Sequence, residues 1–428
     1  IVMLDGVFSA SKKEHNILHV DFESLMKATE KKSTEPDSFF DRNMPASKDL
    51  ASIIYTSGTT GRAKGVMLTH NNFIAQLDSS LQYFKVFPDD NFLLVLPLHH
   101  AFAFTANFLI PLHCKCEISM VENLRTISEN MKEVSPTILL AVPLLAEKML
   151  KAILAKLNRN PAARIMMKIG LSRVVGKKVV ENIGGRLRMI ICGGAASDPE
   201  MLKTFKKLGI LAFEGYGLTE TSPIAALHEE GDIRFGSVGK ALPGCPVRIK
   251  DPDENGIGEV QIKGPIVMQG YFRNDAATAE VFDGEWFCSG DLGKMDKDGY
   301  LTITGRKKSL IVNREGKNIY PEEVELAIKA SDYILESVVI GYRLNGETGE
   351  RVGVIVVPNL DRFEEDRKEK GQSMTDDEII ELCKKEVQRT VKEIADYKRP
   401  RRIHVRFEPL EKTTTQKVKR YLYSMDEA

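Results

Sequence analysis

Ten consecutive residues, Thr56–Gly65, concentrate the chemistry of anion binding: Thr56, Ser57, Gly58, Thr59, Thr60, Gly61, Arg62, Ala63, Lys64 and Gly65. Glycine lets the backbone approach a ligand and take positive φ, so successive N–H groups can converge on an anion. The hydroxyls add donors that rotate toward phosphate oxygens, and Lys64 adds a point charge. An apolar run at Leu50–Tyr55 predicts a buried strand before this loop, and a helical segment follows from Asn71. Strand, glycine-rich loop and helix would make a phosphate cradle. The alternative is a solvated loop of small residues. Neither G-x-x-x-x-G-K-[ST] nor G-x-G-x-x-G occurs in the chain, since Gly215–Tyr216–Gly217 runs on into Leu218, Thr219 and Glu220.

The string TSGTTGRAKG resembles the signature loop of the adenylate-forming superfamily, which includes acyl-CoA synthetases, peptide-synthetase adenylation domains and luciferases. There the loop holds the β- and γ-phosphates of ATP, so the resemblance implies that role for Thr56, Ser57, Gly58, Thr59, Thr60, Gly61 and Lys64. GYGLTETSP, Gly215–Pro223, resembles a second signature of the family. Tyr216, beside Gly217, could stack an adenine on its ring. Thr219 could bond the α-phosphate, and Glu220 could be a hard oxygen ligand for Mg²⁺. A Tyr-Gly turn followed by an acid is also commonplace in loops. Gly193, Gly194 and Ala195 (GGAA with Ala196) stand where the family packs flat backbone against adenine, although helix–sheet packing asks for small residues equally.

WFCSGDLG, Trp286–Gly293, carries Asp291, whose carboxylate could accept both ribose hydroxyls as the family's Asp does. Arg306, in GRKKS, matches the family arginine that contacts ribose or phosphate. His99–His100 follows Pro97–Leu98; by the family pattern His100 orients the acid's carboxylate and borders the thiol's path. A zinc site from His99, His100, His113, Cys114 and Cys116 is the alternative, without a second Cys/His pair at finger spacing. EKTTTQKVKR, Glu411–Arg420, resembles the family's P-K-T-x-x-G-K-[IV]-x-R tail and implies that Lys417 is the catalytic lysine, bridging carboxylate and α-phosphate. Glu411 and Gln416 depart from the usual Pro and Gly. A basic surface tail is the bland alternative.

Elements must position these residues. Apolar runs of strand length at Asn91–Pro97, Thr137–Val142, Leu187–Cys192 and Gly209–Glu214 alternate with helical stretches, among them Phe102–Leu112, and predict a parallel α/β sheet. Pro143–Gly184 reads as a long helical stretch carrying Arg164, Lys168, Arg173, Lys177 and Lys178, either a solvated face or a partner-binding patch. After Gly236, short segments at Pro246–Lys250, Gly258–Ile262 and Tyr300–Thr304 predict antiparallel hairpins. Beyond GRKKS, a helix near Pro321–Ala330, strands near Ser337–Gly341 and Arg351–Val357, and a helix within Asp376–Ala395 predict a compact α+β piece. Residues 1–48 predict a short strand and a weak helix near Phe22–Thr29. The expected fold class is α/β: a large N-terminal domain, 1–307, with mostly parallel sheets plus a small antiparallel β unit, and a small mobile C-terminal α+β domain, 308–428, hinged near Lys308. The chain opens at Ile1 inside an apolar run, so the first domain is expected to be incomplete at its start.

Composition narrows the classes. Lys+Arg and Asp+Glu both total 60, which gives no global field for nucleic acid or an anionic membrane. Six scattered cysteines suit a reducing cytosol, and no apolar run reaches transmembrane length; a peripheral membrane contact stays open. Within the family, GGRLRMIICGG (Gly184–Gly194) and EGKNIYPEEVE (Glu315–Glu325) resemble the long-chain fatty acyl-CoA synthetases, with Gly316 near the pantetheine. Phe102, Phe104, Phe108 and Ile110 line an acyl pocket or belong to the core. The resemblance implies ATP- and Mg²⁺-dependent activation of a fatty acid to its acyl-adenylate, then thioester formation with CoA. An acyl-carrier-protein acceptor is the alternative, motivated by the basic positions Arg164–Lys178 and Lys398–Arg402. Release of the acyl-adenylate itself and a non-catalytic nucleotide binder are the others.

Overall fold

The computed structural model describes residues 2–3, 20–21, 44–57, 63–344, 348–371, 373–413 and 417–425. Residues 1–49 and 50–428 form two compact units. In the first, Val2–Met3 pairs in parallel with Val20–Asp21; the helix expected at Phe22–Thr29 lies outside the described residues.

The second unit is built on a five-stranded parallel sheet in the order Glu117–Met120, Asn91–Leu94, Ile138–Ala141, Met189–Cys192, Leu211–Glu214. Every residue of Asn91–Leu94, Ile138–Ala141 and Met189–Cys192 is buried, because successive side chains enter opposite apolar layers. Phe92, Ile138, Leu140, Met189, Ile191 and Phe213 face one core; Leu93, Leu139, Ala141, Ile190, Cys192 and Ala212 face the other. The carboxyl ends of these strands therefore open into loops at one edge, the usual place for a ligand crevice in such a sheet.

The glycine-rich loop has different surroundings from those its flanking pattern suggests. Leu50–Ser57 pairs antiparallel with Ala63–Thr69, which also pairs with Gly270–Tyr271. Only Ile54 of the expected buried run is buried; Leu50 and Tyr55 remain 45% and 63% exposed, as an edge strand allows. The loop thus links two strands of a hairpin, and the helix His70–Leu81 starts only after the second strand. Val66 and Leu68 anchor that strand in the core. Thr69 and Asn72 cap the helix reciprocally, so its N-terminal amides are engaged away from the loop.

A five-stranded antiparallel sheet joins Val247–Lys250, Gly258–Ile262, Trp286–Met295, Phe282–Asp283 and Leu301–Arg306. Pro143–Gly184 divides into helices Pro143–Asn158, Pro161–Lys168 and Ser172–Asn182. Farther on, Ile334–Tyr342 and Arg351–Pro358 form an antiparallel pair, to which Arg402–Val405 adds a parallel strand absent from the sequence expectations. Helices Pro321–Ile328 and Asp376–Thr390 pack Val324, Ile328, Cys383 and Val387 onto it. No helix among the described residues is long and apolar enough to cross a membrane.

Candidate active site

At the base of the hairpin, Thr56 stands opposite Lys64 and Ser57 opposite Ala63, and the Thr56 hydroxyl reaches the Lys64 carbonyl at 3.5 Å. Gly58, Thr59, Thr60 and Gly61 lie outside the described residues. Lys64 Nζ sits 4.7 Å from the centre of the Tyr271 ring. The Tyr271 hydroxyl donates to Glu220 Oε1 at 2.8 Å. Burial and the Glu220 charge push that phenol's pKa far up, so it stays a donor. Tyr271 therefore joins the first and second signatures, although no pattern around it in the sequence marks it.

Where Leu211–Glu214 ends, Tyr216 exchanges backbone hydrogen bonds with Ala226. Gly217 is required by space: a Cβ there would lie 1.9 Å from the Pro223 carbonyl oxygen. Tyr216 is buried, and its hydroxyl donates to Asp291 Oδ2 at 2.7 Å. Asp291 and Arg306 are cross-strand partners on Trp286–Met295 and Leu301–Arg306, and Arg306 Nε meets Asp291 Oδ1 at 2.6 Å. Both carboxylate oxygens are thus engaged. Burial raises the Asp291 pKa, against the opposing pull of Arg306 and Tyr216. Thr219 and Glu220 sit in the short helix Thr219–Thr221 that follows Gly217.

Gly193, Gly194 and Ala195 follow Met189–Cys192. A Cβ on Gly193 would lie 2.9 Å from the Phe102 ring, so the far edge of that ring comes up against this backbone and leaves room only for glycine. Gly194 has φ +86°, a left-handed conformation that glycine takes freely. The next turn is tied down by Glu214, whose Oε2 accepts from the Ser197 amide at 2.8 Å. Burial pushes the Glu214 carboxyl up to about 7. Sequence reading passed over Glu214 because it reads as the last residue of a strand.

His100 caps the helical segment that begins at Ala101, and its ring lies 4.1 Å from that of His99. Burial and then His99 lower its pKa, which favours the neutral imidazole. Ala101–Phe104, Thr105–Leu109 and Ile110–His113 run on as one helical segment with a π turn in the middle. His113, Cys114 and Cys116 fall at its far end, roughly 18 Å of helix away, so the five residues considered for zinc do not form one ligand set. Along this segment Ile110 is core, while Phe104 packs against Phe73 and Phe108.

The C-terminal tail completes the cluster. Lys417 lies within electrostatic reach of Arg306, Asp291 and Glu220. The residue keeps exposed surface, yet crowding around its ammonium lowers the pKa, with Arg306 adding to the lowering and the two carboxylates opposing it. A turn closes on Lys417 by Thr413 N–H to the Lys417 carbonyl at 2.8 Å. Arg420 holds the tail to helix Pro321–Ile328, meeting Glu322 at 3.0 Å and Glu325 at 2.7 Å. Lys412 pairs with Glu336 on the neighbouring strand. Gln416 lies outside the described residues. Lys308 is exposed in the turn Lys307–Ser309, and Gly316, φ +75°, turns the hairpin between Ile311–Val312 and Asn318–Ile319. Among the described residues, the hydrogen bonds and ion pairs of the cluster do not extend to Gly316.

Lys64, Glu220, Tyr216, Asp291, Arg306 and Lys417, separated by up to hundreds of positions in the chain, are linked by short contacts or mutual fields. Two family models match the chain. Residues 2–272 match the family described as AMP-binding enzyme, and residues 323–417 match the AMP-binding enzyme C-terminal domain. A long-chain-fatty-acid–CoA ligase, FadD15, of Mycobacterium bovis is 32% identical over 345 residues, covering 74% of this chain and 56% of the relative. The chain thus spans little more than half the length of that relative. A chloroplastic long-chain-fatty-acid–[acyl-carrier-protein] ligase, AEE15, of Arabidopsis thaliana is 28% identical over 382 residues, covering 73% of this chain and 51% of the relative. The crystal structure of ATP-bound MatB from Rhodopseudomonas palustris superposes with a TM-score of 0.69 at 28% identity, covering 88% of this chain and 68% of that one. With both modules matched in order around a cluster drawn from each of them, the chain belongs to the AMP-binding enzyme family.

Proposed function

We propose that the protein is an ATP-dependent fatty acid–CoA ligase that forms an acyl-adenylate and then a thioester. One observation carries this reading: Lys417 of the tail stands in the field of Asp291, Arg306 and Glu220, and Glu220 is joined through Tyr271 to Lys64. The loop of Thr56, Ser57, Gly58, Thr59, Thr60, Gly61 and Lys64 receives the β- and γ-phosphates. Gly193, Gly194, Ala195, Tyr216 and Gly217 border the adenine. Asp291, steadied by Tyr216 and Arg306, accepts the ribose hydroxyls. Thr219 bonds the α-phosphate.

The acid's carboxylate attacks the α-phosphorus in line, and pyrophosphate leaves. Catalysis of such a step is chiefly positioning and charge. His100, kept neutral, donates to the incoming carboxylate without adding a fixed charge. The Lys417 ammonium bridges carboxylate and α-phosphate as charge accumulates there. Glu220 suits Mg²⁺, because one hydrogen bond from Tyr271 leaves most of its acceptor capacity open and Mg²⁺ binds through one or two carboxylates plus phosphates. The ion would neutralise phosphate charge. In the second step the segment beyond Lys308 turns as a domain, 308–428 against 1–307, and brings Gly316 toward the pantetheine while the thiol displaces AMP. A cytosolic setting is part of the reading.

The test is fatty-acid-dependent exchange of labelled pyrophosphate into ATP by the intact protein, followed by thioester formation with CoA. Absence of exchange with every acid tried would refute it. An acyl-carrier-protein acceptor is the second reading, favoured by the printed activity of the Arabidopsis relative. One of its two motivating patches is partly neutralised internally, because Lys398 pairs with Glu323 while Arg399 and Arg401 share Asp396. Supplying CoA and carrier protein separately distinguishes the acceptors.

A further inference from the structure

Charge is balanced over the whole chain but not locally. Between Glu147 and Glu181 the sequence holds nine cations (Lys148, Lys151, Lys156, Arg159, Arg164, Lys168, Arg173, Lys177 and Lys178) and no Asp or Glu. None of the nine forms an ion pair with a described residue, whereas cations elsewhere in the fold commonly do. The same stretch exposes aliphatic side chains: Ile165 is 59% exposed, Ile169 66%, Leu171 44% and Val174 46%. Helix Pro161–Lys168 buries none of its residues. Ile165 and Ile169 stand one turn apart, on the same face. Arg173 and Lys177 also line a groove of about 560 Å³ that opens beside this surface.

An exposed helix that leaves its apolar side chains in water, within a field of unpaired cations, matches the chemistry of an anionic lipid surface. Aliphatic side chains enter the boundary between headgroups and acyl chains, and the cations meet the headgroup charge. An acidic protein would satisfy the cations but gives no reason for four exposed aliphatics set among them. We infer that helices Pro161–Lys168 and Ser172–Asn182 dock the protein on membranes that contain anionic phospholipid. The surface is defined by its own residues and does not depend on the ligase reading, so its test measures binding and not turnover.

The intact protein is floated with phosphatidylcholine vesicles, with and without phosphatidylglycerol, at low and raised salt. The expectation is binding to the anionic vesicles that weakens as salt shortens the range of the field. Lys168→Gln/Lys177→Gln/Lys178→Gln should weaken it by about five-fold per cation, roughly a hundred-fold in all. Ile165→Ser/Ile169→Ser should weaken it roughly ten-fold while leaving the charge unchanged. Amide hydrogen exchange of the unaltered protein should slow at residues 161–182 on the vesicles, a readout that needs no variant to fold. No binding by the unaltered protein, binding that both variants retain, or capture by an acidic carrier protein with indifference to lipid would each overturn the inference.

Discussion

Two regions meet at the site, and they are held by different forces. Tyr216, Asp291 and Arg306 are mounted on strands and a strand end whose neighbours are buried core, so ladder hydrogen bonds and packing set their geometry. Lys417 rides on a tail held by ion pairs as well as packing: Arg420 meets Glu322 and Glu325, Lys412 meets Glu336, and Leu410, Val418, Tyr423 and Met425 pack beside Val338, Ile340 and Ile355. The packed half is preorganised, with Tyr216, Asp291 and Arg306 already joined to one another. The ion pairs of the tail can loosen and re-form with salt and pH, while its apolar contacts hold it to the sheet. Packing contributes fixed geometry, and ion pairs contribute geometry that salt and pH can modulate.

The comparison is open to tests of decreasing size. Lys417→Ala should slow pyrophosphate exchange by about 10²–10³-fold, as for loss of one transition-state donor, while thioester formation from supplied acyl-adenylate changes little. Equal losses in both steps would erase the distinction between the two regions. Arg420→Ala leaves the half-buried Glu322 and Glu325 without their cation and should cost about 3 kcal/mol. The loss should be seen as a separate early unfolding of the C-terminal segment by calorimetry, along with a drop in exchange rate. A single unaltered transition would show that the tail is held in some other way.

Glu214→Gln tests the packed half. Its folded pKa of about 7 lies above the unfolded value of 4.5, so between them the folded state keeps a proton that the unfolded state has lost. Stability must therefore fall as pH rises through that window, by no more than roughly 3 kcal/mol. The amide variant should be the more stable protein at pH 8 and lose its advantage near pH 4.5; parallel Tm profiles would contradict this. Tyr216→Phe removes the hydroxyl that meets Asp291 and should cost about 1 kcal/mol in nucleotide affinity, measured calorimetrically with AMP. No change would mean that Arg306 alone steadies the carboxylate.

Much of this was legible beforehand, for a physical reason. A buried parallel strand must be apolar on both faces, so Ile138–Ala141 and Met189–Cys192 announce themselves as continuous runs. Ala63–Thr69 does not, because glycine, lysine and threonine interrupt its pattern, so the string there suggests a loop leading to a helix. Asp291 and Arg306 were both named, yet their partnership depends on strand register, which sets residues 291 and 306 opposite each other.

By itself the sequence determined which chemistry the chain carries and where the apolar runs make strands and helices, since residue type and local periodicity are properties of the string. Only the tertiary structure decided that Tyr271 links Lys64 to Glu220, that Glu214 is buried beside the Ser197 amide, and that Lys417 comes to Asp291. Those relations join residues far apart in the chain, and they arise from register, burial and loop closure, which no local pattern encodes.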